Sequence, residues 1–290
     1  MTEEPDTDLD DLDPAELLEE AVAALESGDK DEAAKKYNAV GNIYMSVAEF
    51  EEAHRCFEEA LTIYKALKDE TGACDTMYNL GVASINLERW DEAITSLKSA
   101  MKLFDKGDNP SGSADAVYGL ALASLGQGSF DEAMDHFKKA QKAYKALDNT
   151  QGIASVVMDM GAAYVDKEDW VNAKATIKKA LKMYEDMDDK AGMADAQSLL
   201  GDISETNGDE KRAAELFVDA ASNYYEAGIF DIAREVLDRA EQKMWDVPKA
   251  TRRRLRKVID DLRDNLPEED ELPDDDLDDD IDEDLEDMLE

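Results

Sequence analysis

The sequence predicts an all-α chain of stacked helical hairpins, an α-solenoid closed by capping helices. Three observations predict it. Small and large apolar side chains recur at a spacing of 40 residues. Within one repeat they fall at i, i+3, i+4 and i+7, the pattern of one helix face. Short polar stretches such as "LERW", "GQGSF" and "DKEDW" supply turns between the helical runs.

The repeat is plain when "FEEAHRCFEEALTIY" (50–64), "WDEAITSLKSAMKLF" (90–104), "FDEAMDHFKKAQKAY" (130–144) and "WVNAKATIKKALKMY" (170–184) are aligned. Large residues form the columns Phe50, Trp90, Phe130, Trp170; Phe57, Leu97, Phe137, Ile177, Phe217; and Tyr64, Phe104, Tyr144, Tyr184, Tyr224. Alanines fill two more, from Ala53 to Ala213 and from Ala60 to Ala220. The preceding half of each unit is also helical, as Ala39, Ile43, Tyr44 and Val47 show, so each unit is a helical pair. Gly41, Gly81, Ala121, Gly161 and Gly201 are expected to let the two backbones approach. Gly72, Gly112, Gly152 and Gly192 are expected at the joins between units.

The ends read as caps. In "DPAELLEEAVAALESGD" (13–29) Asp13 is an N-cap, Pro14 takes the first helical position and Glu16 can reach back. "FDIAREVLDRAEQKMW" follows Ala213 at a spacing of 20 and is one more helix of the same type. In "PKATRRRLRKVIDDLRDNL" (248–266) Leu255, Val258, Ile259, Leu262 and Leu266 form one apolar stripe, suited to sealing the end of a stack.

These columns resemble the tetratricopeptide repeat family, through pairs of the Leu80–Gly81 type, the aromatic before the second helix, and Ala93, Leu97 and Ala100. The usual unit of about 34 residues ends in proline. Here no proline stands at Asp105 or its equivalents, so the resemblance is to a longer variant of about 40 residues, and it covers 30–245. It implies a right-handed superhelical solenoid of five to six hairpins that docks a peptide or partner helix on a concave face. The expected organisation is an acidic disordered arm over 1–13, the solenoid with its caps over 14–266, and an acidic tail over 267–290, disordered or conditionally helical.

Charge narrows the partners. There are 32 Lys+Arg against 72 Asp+Glu, a formal net charge of -40. Such a field does not favour nucleic acid or anionic membranes. Cys56 and Cys74 form no CxxC, the N-terminus lacks a basic-then-apolar leader, and no long apolar run exists. These features predict a cytoplasmic location with both thiols as small core residues.

Residues 130–137, "FDEAMDHF", place Asp131, Glu132, Asp135 and His136 within two helical turns. The repeat argues against a metal or acid–base site there. The residues equivalent to His136 are Cys56, Ser96, Thr176 and Leu216, so no ligand recurs. The acids suit the positive end of a helix dipole. His54 is expected to have no cluster of partners. Glycine-rich phosphate loops, GxSxG, HExxH and paired-cysteine zinc patterns are all missing from the sequence. No catalytic residue, cofactor or metal is therefore expected.

The candidate site is a binding face. The family's inner-face columns fall here on Lys35, Asp75, Asp115, Ser155, Asp195; on Asn38, Tyr78, Tyr118, Met158, Ser198; and on Asn42, Val82, Leu122, Ala162, Asp202. Asn38, Asn42, Tyr78, Val82, Tyr118, Leu122 and Met158 make a partly aromatic strip edged by acids, suited to an apolar, basic segment of another protein. Some members clamp a chaperone's terminal carboxylate with two Asn and several bases. Asn42 and Asn79 match the pair, but Asn38, Asp115 and Gly119 stand where bases are needed, so no such clamp is expected. A lysine ladder (Lys98, Lys138, Lys178; Lys102, Lys142, Lys182) reads as solvated outer surface. Lys249, Arg252, Arg253, Arg254, Arg256 and Lys257 form the one dense basic patch, followed by 16 acids and no base over 268–290. Leu277, Ile281, Leu285 and Met288 recur there at helical spacing. The chain is thus expected to be a protein-binding adaptor, or a regulator whose basic helix and acidic tail switch access to a partner, a nucleic-acid-associated one included.

Overall fold

The computed structural model describes residues 13–267; the predicted acidic tail from 268 onward, and the arm before Asp13, lie outside the described residues. Thirteen α-helices and one 3₁₀ turn occur among the described residues, and no strand. The opening helix is α1 (Pro14–Ser27). Five hairpins follow: α2 (Lys30–Ser46) with α3 (Phe50–Leu67), α4 (Glu70–Asn86) with α5 (Trp90–Lys106), α6 (Pro110–Gly126) with α7 (Phe130–Ala146), α8 (Thr150–Asp166) with α9 (Trp170–Met187), and α10 (Lys190–Thr206) with α11 (Glu210–Glu226). The chain ends in α12 (Phe230–Lys243), a 3₁₀ turn (Met244–Asp246) and α13 (Lys249–Arg263). Two compact units divide at Ala143 and Tyr144, inside the last turn of α7.

The turns explain the register. One residue with positive φ occurs every twenty positions, at Gly28, Ala48, Lys68, Glu88, Asp108, Gly128, Asp148, Glu168, Asp188, Gly208 and Gly228. Each allows the next N–H to reach back five residues, as Glu49 N to Tyr44 O (2.9 Å), Asp69 N to Tyr64 O (3.0 Å) and Arg89 N to Ser84 O (2.8 Å). The following residue then caps the next helix. Asp69 Oδ1 accepts from the N–H groups of Thr71 (3.0 Å) and Gly72 (3.2 Å), and Asn109, Asn149 and Asp189 cap α6, α8 and α10 in the same way. Asp13 caps α1 through the N–H of Ala15 at 2.9 Å, with Pro14 first in the helix, while Glu16 makes no reach-back bond among the described residues.

Two glycine columns do different jobs, and one differs from the sequence reading. Gly72, Gly112, Gly152 and Gly192 are not at the joins but in the first turns of α4, α6, α8 and α10. The aromatic ring closing the preceding helix lies flat against them. A Cβ on Gly72 would stand 2.4 Å from the Tyr64 ring, and one on Gly112 2.6 Å from Phe104. Gly41, Gly81, Gly161 and Gly201 admit the large residue sixteen positions on, with a Cβ on Gly41 falling 2.6 Å from Phe57. Phe57, Leu97, Phe137, Ile177 and Phe217 are accordingly fully buried. Each contributes about 1.5–3 kcal/mol of transfer free energy.

Within the first unit α2, α4 and α6 touch one another in sequence, whereas α3 and α5 make no comparable contact. The first helices therefore form the tighter row. In the second unit Leu255 and Ile259 of α13 are buried, and Val258, Leu262 and Leu266 pack beside them against Phe217, Leu237 and Val247, so α13 does cover the last hairpin.

His136 sits in the second-helix column, only 14% exposed, with Nε2 3.6 Å from Glu132. Its Nδ1 is buried without a partner. Burial, reinforced by Lys139, holds its pKa below the ordinary 6.5, with Glu132 pulling weakly the other way.

Two tests follow from this packing. Ala48→Gly relieves a left-handed alanine and should raise stability by roughly 0.5–1 kcal/mol, while Gly41→Ala should lower it by about 1–3 kcal/mol, both read from urea unfolding midpoints. A His whose folded pKa is depressed loses stability as pH falls below its unfolded value of 6.5, until the folded value is passed. His136→Leu, the residue found at the equivalent position 216, should therefore lose less stability than the parent between pH 7 and pH 5. An identical loss in both proteins contradicts the assignment.

Candidate functional site

The first-helix face of the N-terminal unit is built from α2, α4 and α6. Asn38 and Asn42, expected to face a partner, are engaged within the fold. Thr76 Oγ1 donates to Asn38 Oδ1 (3.1 Å), and Asn79 Nδ2 donates to Asn42 Oδ1 (3.0 Å). The two asparagines that match the chaperone-clamp pair are thus bonded to each other across α2 and α4. These bonds tie α2 to α4.

Tyr78, Val82, Tyr118 and Leu122 are all half-buried. Tyr78 meets Phe104 edge-on with ring centroids 6.3 Å apart, and Tyr118 tilts against Phe137 at 6.3 Å. The inner edge of each tyrosine therefore packs on its own hairpin while the outer edge reaches the surface. Burial, together with the Asp115 carboxylate, pushes the Tyr78 phenol pKa up. Asp75 and Asp115 stand one turn before the tyrosines on α4 and α6. The face joins exposed ring edges, aliphatic side chains and carboxylates, a set that recognises a segment mixing apolar and cationic groups. In the second unit Met158 on α8 is half-buried and packs beside the Ile177–Tyr184 cluster.

Elsewhere, Asp131, Glu132 and Asp135 are exposed on α7. His54 differs from expectation. It is buried, with Nε2 3.1 Å from Glu92 and Nδ1 3.7 Å from Glu58. The sequence reading missed Glu92 because it lies on the next unit, and Glu58 because it was scored by repeat column. One ligand atom from each of the three falls within 4.8 Å of the others. The contact between Nε2 and Glu92 links α3 to α5, while Glu58 lies one turn on along the same helix as His54. Burial raises the Cys56 thiol to about 12 and the Cys74 thiol to about 11, so both remain protonated core groups at neutral pH.

The ladder lysines Lys98, Lys102, Lys138, Lys142, Lys178 and Lys182 are all exposed. Lys138 and Lys182 pair only with acids of their own helices, Asp135 at 3.9 Å and Asp186 at 2.8 Å.

The basic patch on α13 divides in two. Arg252 Nη2 donates to the carbonyl oxygens of Trp245 (3.0 Å) and Val247 (3.1 Å), closing the 3₁₀ turn. Arg254 pairs with Glu215 at 2.9 Å. Lys249, Arg253, Arg256 and Lys257 are exposed and make no ion pair among the described residues. Trp245, 81% exposed, stands beside them over a cleft of about 340 Å³ lined also by Gln242, Arg252 and Arg256. Sequence reading missed this tryptophan, whose signal was a large aromatic outside every column. No helix among the described residues is long and apolar enough to cross a membrane.

Comparison with known proteins agrees with this architecture. A tetratricopeptide repeat model matches residues 158–222. Kinesin light chain-related protein 1 of Arabidopsis thaliana is 42% identical over 55 residues, 19% of this chain and 9% of that protein, so the chain spans a small part of that relative's length. Among solved structures, BtubC (BKLC) from P. vanneervenii is 20% identical with a TM-score of 0.52, covering 82% of this chain and 91% of that one. A Rap protein complexed with competence and sporulation factor is 14% identical with a TM-score of 0.52, covering 83% of this chain and 75% of that one. At these identities the likeness is one of fold. The model of the soluble NSF attachment protein, SNAP, matches residues 15–165, more than half of the chain. By its forty-residue helical hairpins and by that match, the chain belongs to the SNAP family of tetratricopeptide-like repeat proteins.

Proposed function

We propose that the chain is a cytoplasmic protein-binding adaptor without chemistry of its own, and that it takes an apolar, basic segment of a partner on the first-helix face of its N-terminal unit. The observation that carries this is the half-buried strip of Tyr78, Val82, Tyr118 and Leu122, edged by Asp75 and Asp115. A strip that served packing alone would bury the tyrosine edges; these stop half-way. The fold supports the reading, since tetratricopeptide-type repeats commonly bind protein partners, and a neighbour of the same fold was solved in complex with competence and sporulation factor.

A second surface is favoured by a separate observation. The unpaired bases of α13 and the exposed Trp245 offer a cationic, aromatic face, and the 16 acids of 268–290 have the complementary charge. In this second reading that acidic segment competes with an acidic partner for α13.

The two readings are tested separately. Val82→Lys/Leu122→Lys leaves the core intact and places cations on the strip, so binding of basic-apolar peptides on an array should fall at least tenfold, while acidic peptides gain. Uniform binding of acidic peptides by the parent protein contradicts the first reading. Removal of 268–290 should raise affinity for acidic peptides at low salt and not at high salt; no change at any ionic strength removes the second.

A further inference from the structure

The aromatic column that closes the second helices reads Tyr64, Phe104, Tyr144, Tyr184, Tyr224. Every ring in it is buried. In the last hairpin the tyrosine has a second job. Tyr224 donates from its hydroxyl to Asp195 Oδ1 at 2.6 Å. That partner is the residue 29 positions earlier, on the first helix of the same hairpin. At Phe104 the hydroxyl is missing. The residue 29 positions before it is Asp75, whose side chain makes no hydrogen bond or ion pair among the described residues. The cleft walls, with Asp69 nearby, push its carboxyl pKa up.

A cleft of about 290 Å³ opens at this point, lined by Thr71, Cys74, Asp75, Leu103, Phe104 and Asn109. Glu70 and Lys106, at its mouth, pair with each other. Asp69 is occupied in capping α4, and Asp105 accepts from Ser113. Asp75 is thus the charge in the cleft with no partner. Tyr78, one turn after Asp75, meets the Phe104 ring edge-on.

What fits is a planar donor that meets the carboxylate while its flank touches the exposed margin of the Phe104 ring. The chain shows such an arrangement in its second unit. The Arg239 guanidinium lies 4.3 Å from the centroid of the Phe217 ring and pairs with Asp202. A guanidinium suits this combination better than an ammonium, because its plane stacks on the ring while its edge serves the carboxylate. The negative field of the chain draws cations toward the cleft.

We propose that the Asp75–Phe104 cleft is an anchor pocket for an arginine side chain of the partner segment. The inference rests on the adaptor reading above and names the side chain that gives the strip its register, since Asp75 lies one turn before Tyr78. The guanidinium takes the place beside the carboxylate that the Tyr224 hydroxyl holds beside Asp195.

The test uses the full chain and N-acetyl-arginine amide, followed by amide NMR shifts, with N-acetyl-citrulline amide as neutral control. Shifts should cluster at Gly72, Asp75, Gly107 and Asn109, and citrulline should give none. Phe104→Tyr supplies Asp75 with the hydroxyl donor that Tyr224 gives Asp195, so it should weaken binding at least tenfold while the protein stays folded. Asp75→Asn should do the same by removing the charge, and decides the matter if the tyrosine variant is perturbed. Shifts spread over the acidic surface and indifferent to both substitutions overturn the proposal. A second arm uses the best basic-apolar array peptide. If it depends on Val82 and Leu122 but not on Phe104→Tyr or on arginine-to-citrulline replacement, the pocket fails and the adaptor face stands. If the arginine amide finds the cleft but no peptide uses the strip, the pocket stands and the adaptor reading fails.

Discussion

One backbone constraint organises this chain: a single left-handed residue at every twentieth position, from Gly28 to Gly228. It ends a helix by letting the N–H of the residue after it bond a carbonyl in the last turn, and that same residue begins the next helix. A connection this short leaves the chain no choice but to return along itself. Helix length is then fixed at about 17 residues for each interior helix. With length and turn both fixed, side chains twenty or forty positions apart occupy equivalent environments, and the size columns follow. Seven of these left-handed positions carry a residue other than glycine, at a cost of roughly 1–2 kcal/mol each. That cost is offset by the paired cap bonds and by the large residues that the register delivers to their glycine sockets.

This explains which parts of the structure could be read from sequence. The helices, the hairpins, the buried column from Phe57 to Phe217 and the two capping helices are all legible, because each repeats a size or a spacing. The turn positions are not. Their left-handed residues are Ala48, Lys68, Glu88 and other side chains that carry no turn signature, whereas the visible glycines, Gly72 and its equivalents, sit inside helices. Those glycines answer to a ring eight residues earlier, a relation that depends on the turn geometry and not on composition. Asp and Asn at 29, 69, 109, 149 and 189 were the available signal, as an N-cap column.

The polar contacts were hidden for a related reason. Thr76 bonds Asn38, Arg89 bonds Glu51, His54 bonds Glu92 and Lys243 bonds Glu205, each pair 38 residues apart. Equivalent helices meet with a stagger, so the partner of a side chain lies two residues short of the full repeat. A comparison by column places residues 40 apart side by side and passes over every one of these bonds. The candidate face was legible in outline, as a strip of Tyr78, Val82, Tyr118 and Leu122. The share of it spent on internal bonds, at Asn38 and Asn42, was not.

A repeat protein separates what holds it together from what distinguishes it. Residues that obey their column, such as Ala93 or Leu97, are accounted for by packing, and packing is the same in every hairpin. Recognition must come from residues that break their column, since an unbroken one offers a partner five equivalent places to bind. His136 breaks its column and is absorbed by burial. Arg239 breaks the pattern of its face and is absorbed by Asp202 and the Phe217 ring. Phe104 is the departure that nothing among the described residues absorbs. Without a hydroxyl it leaves Asp75 unbonded beside a cleft, on the face where the tyrosine edges also remain half open. A binding strip built from equivalent helices has no inherent register; an interruption of this kind supplies one.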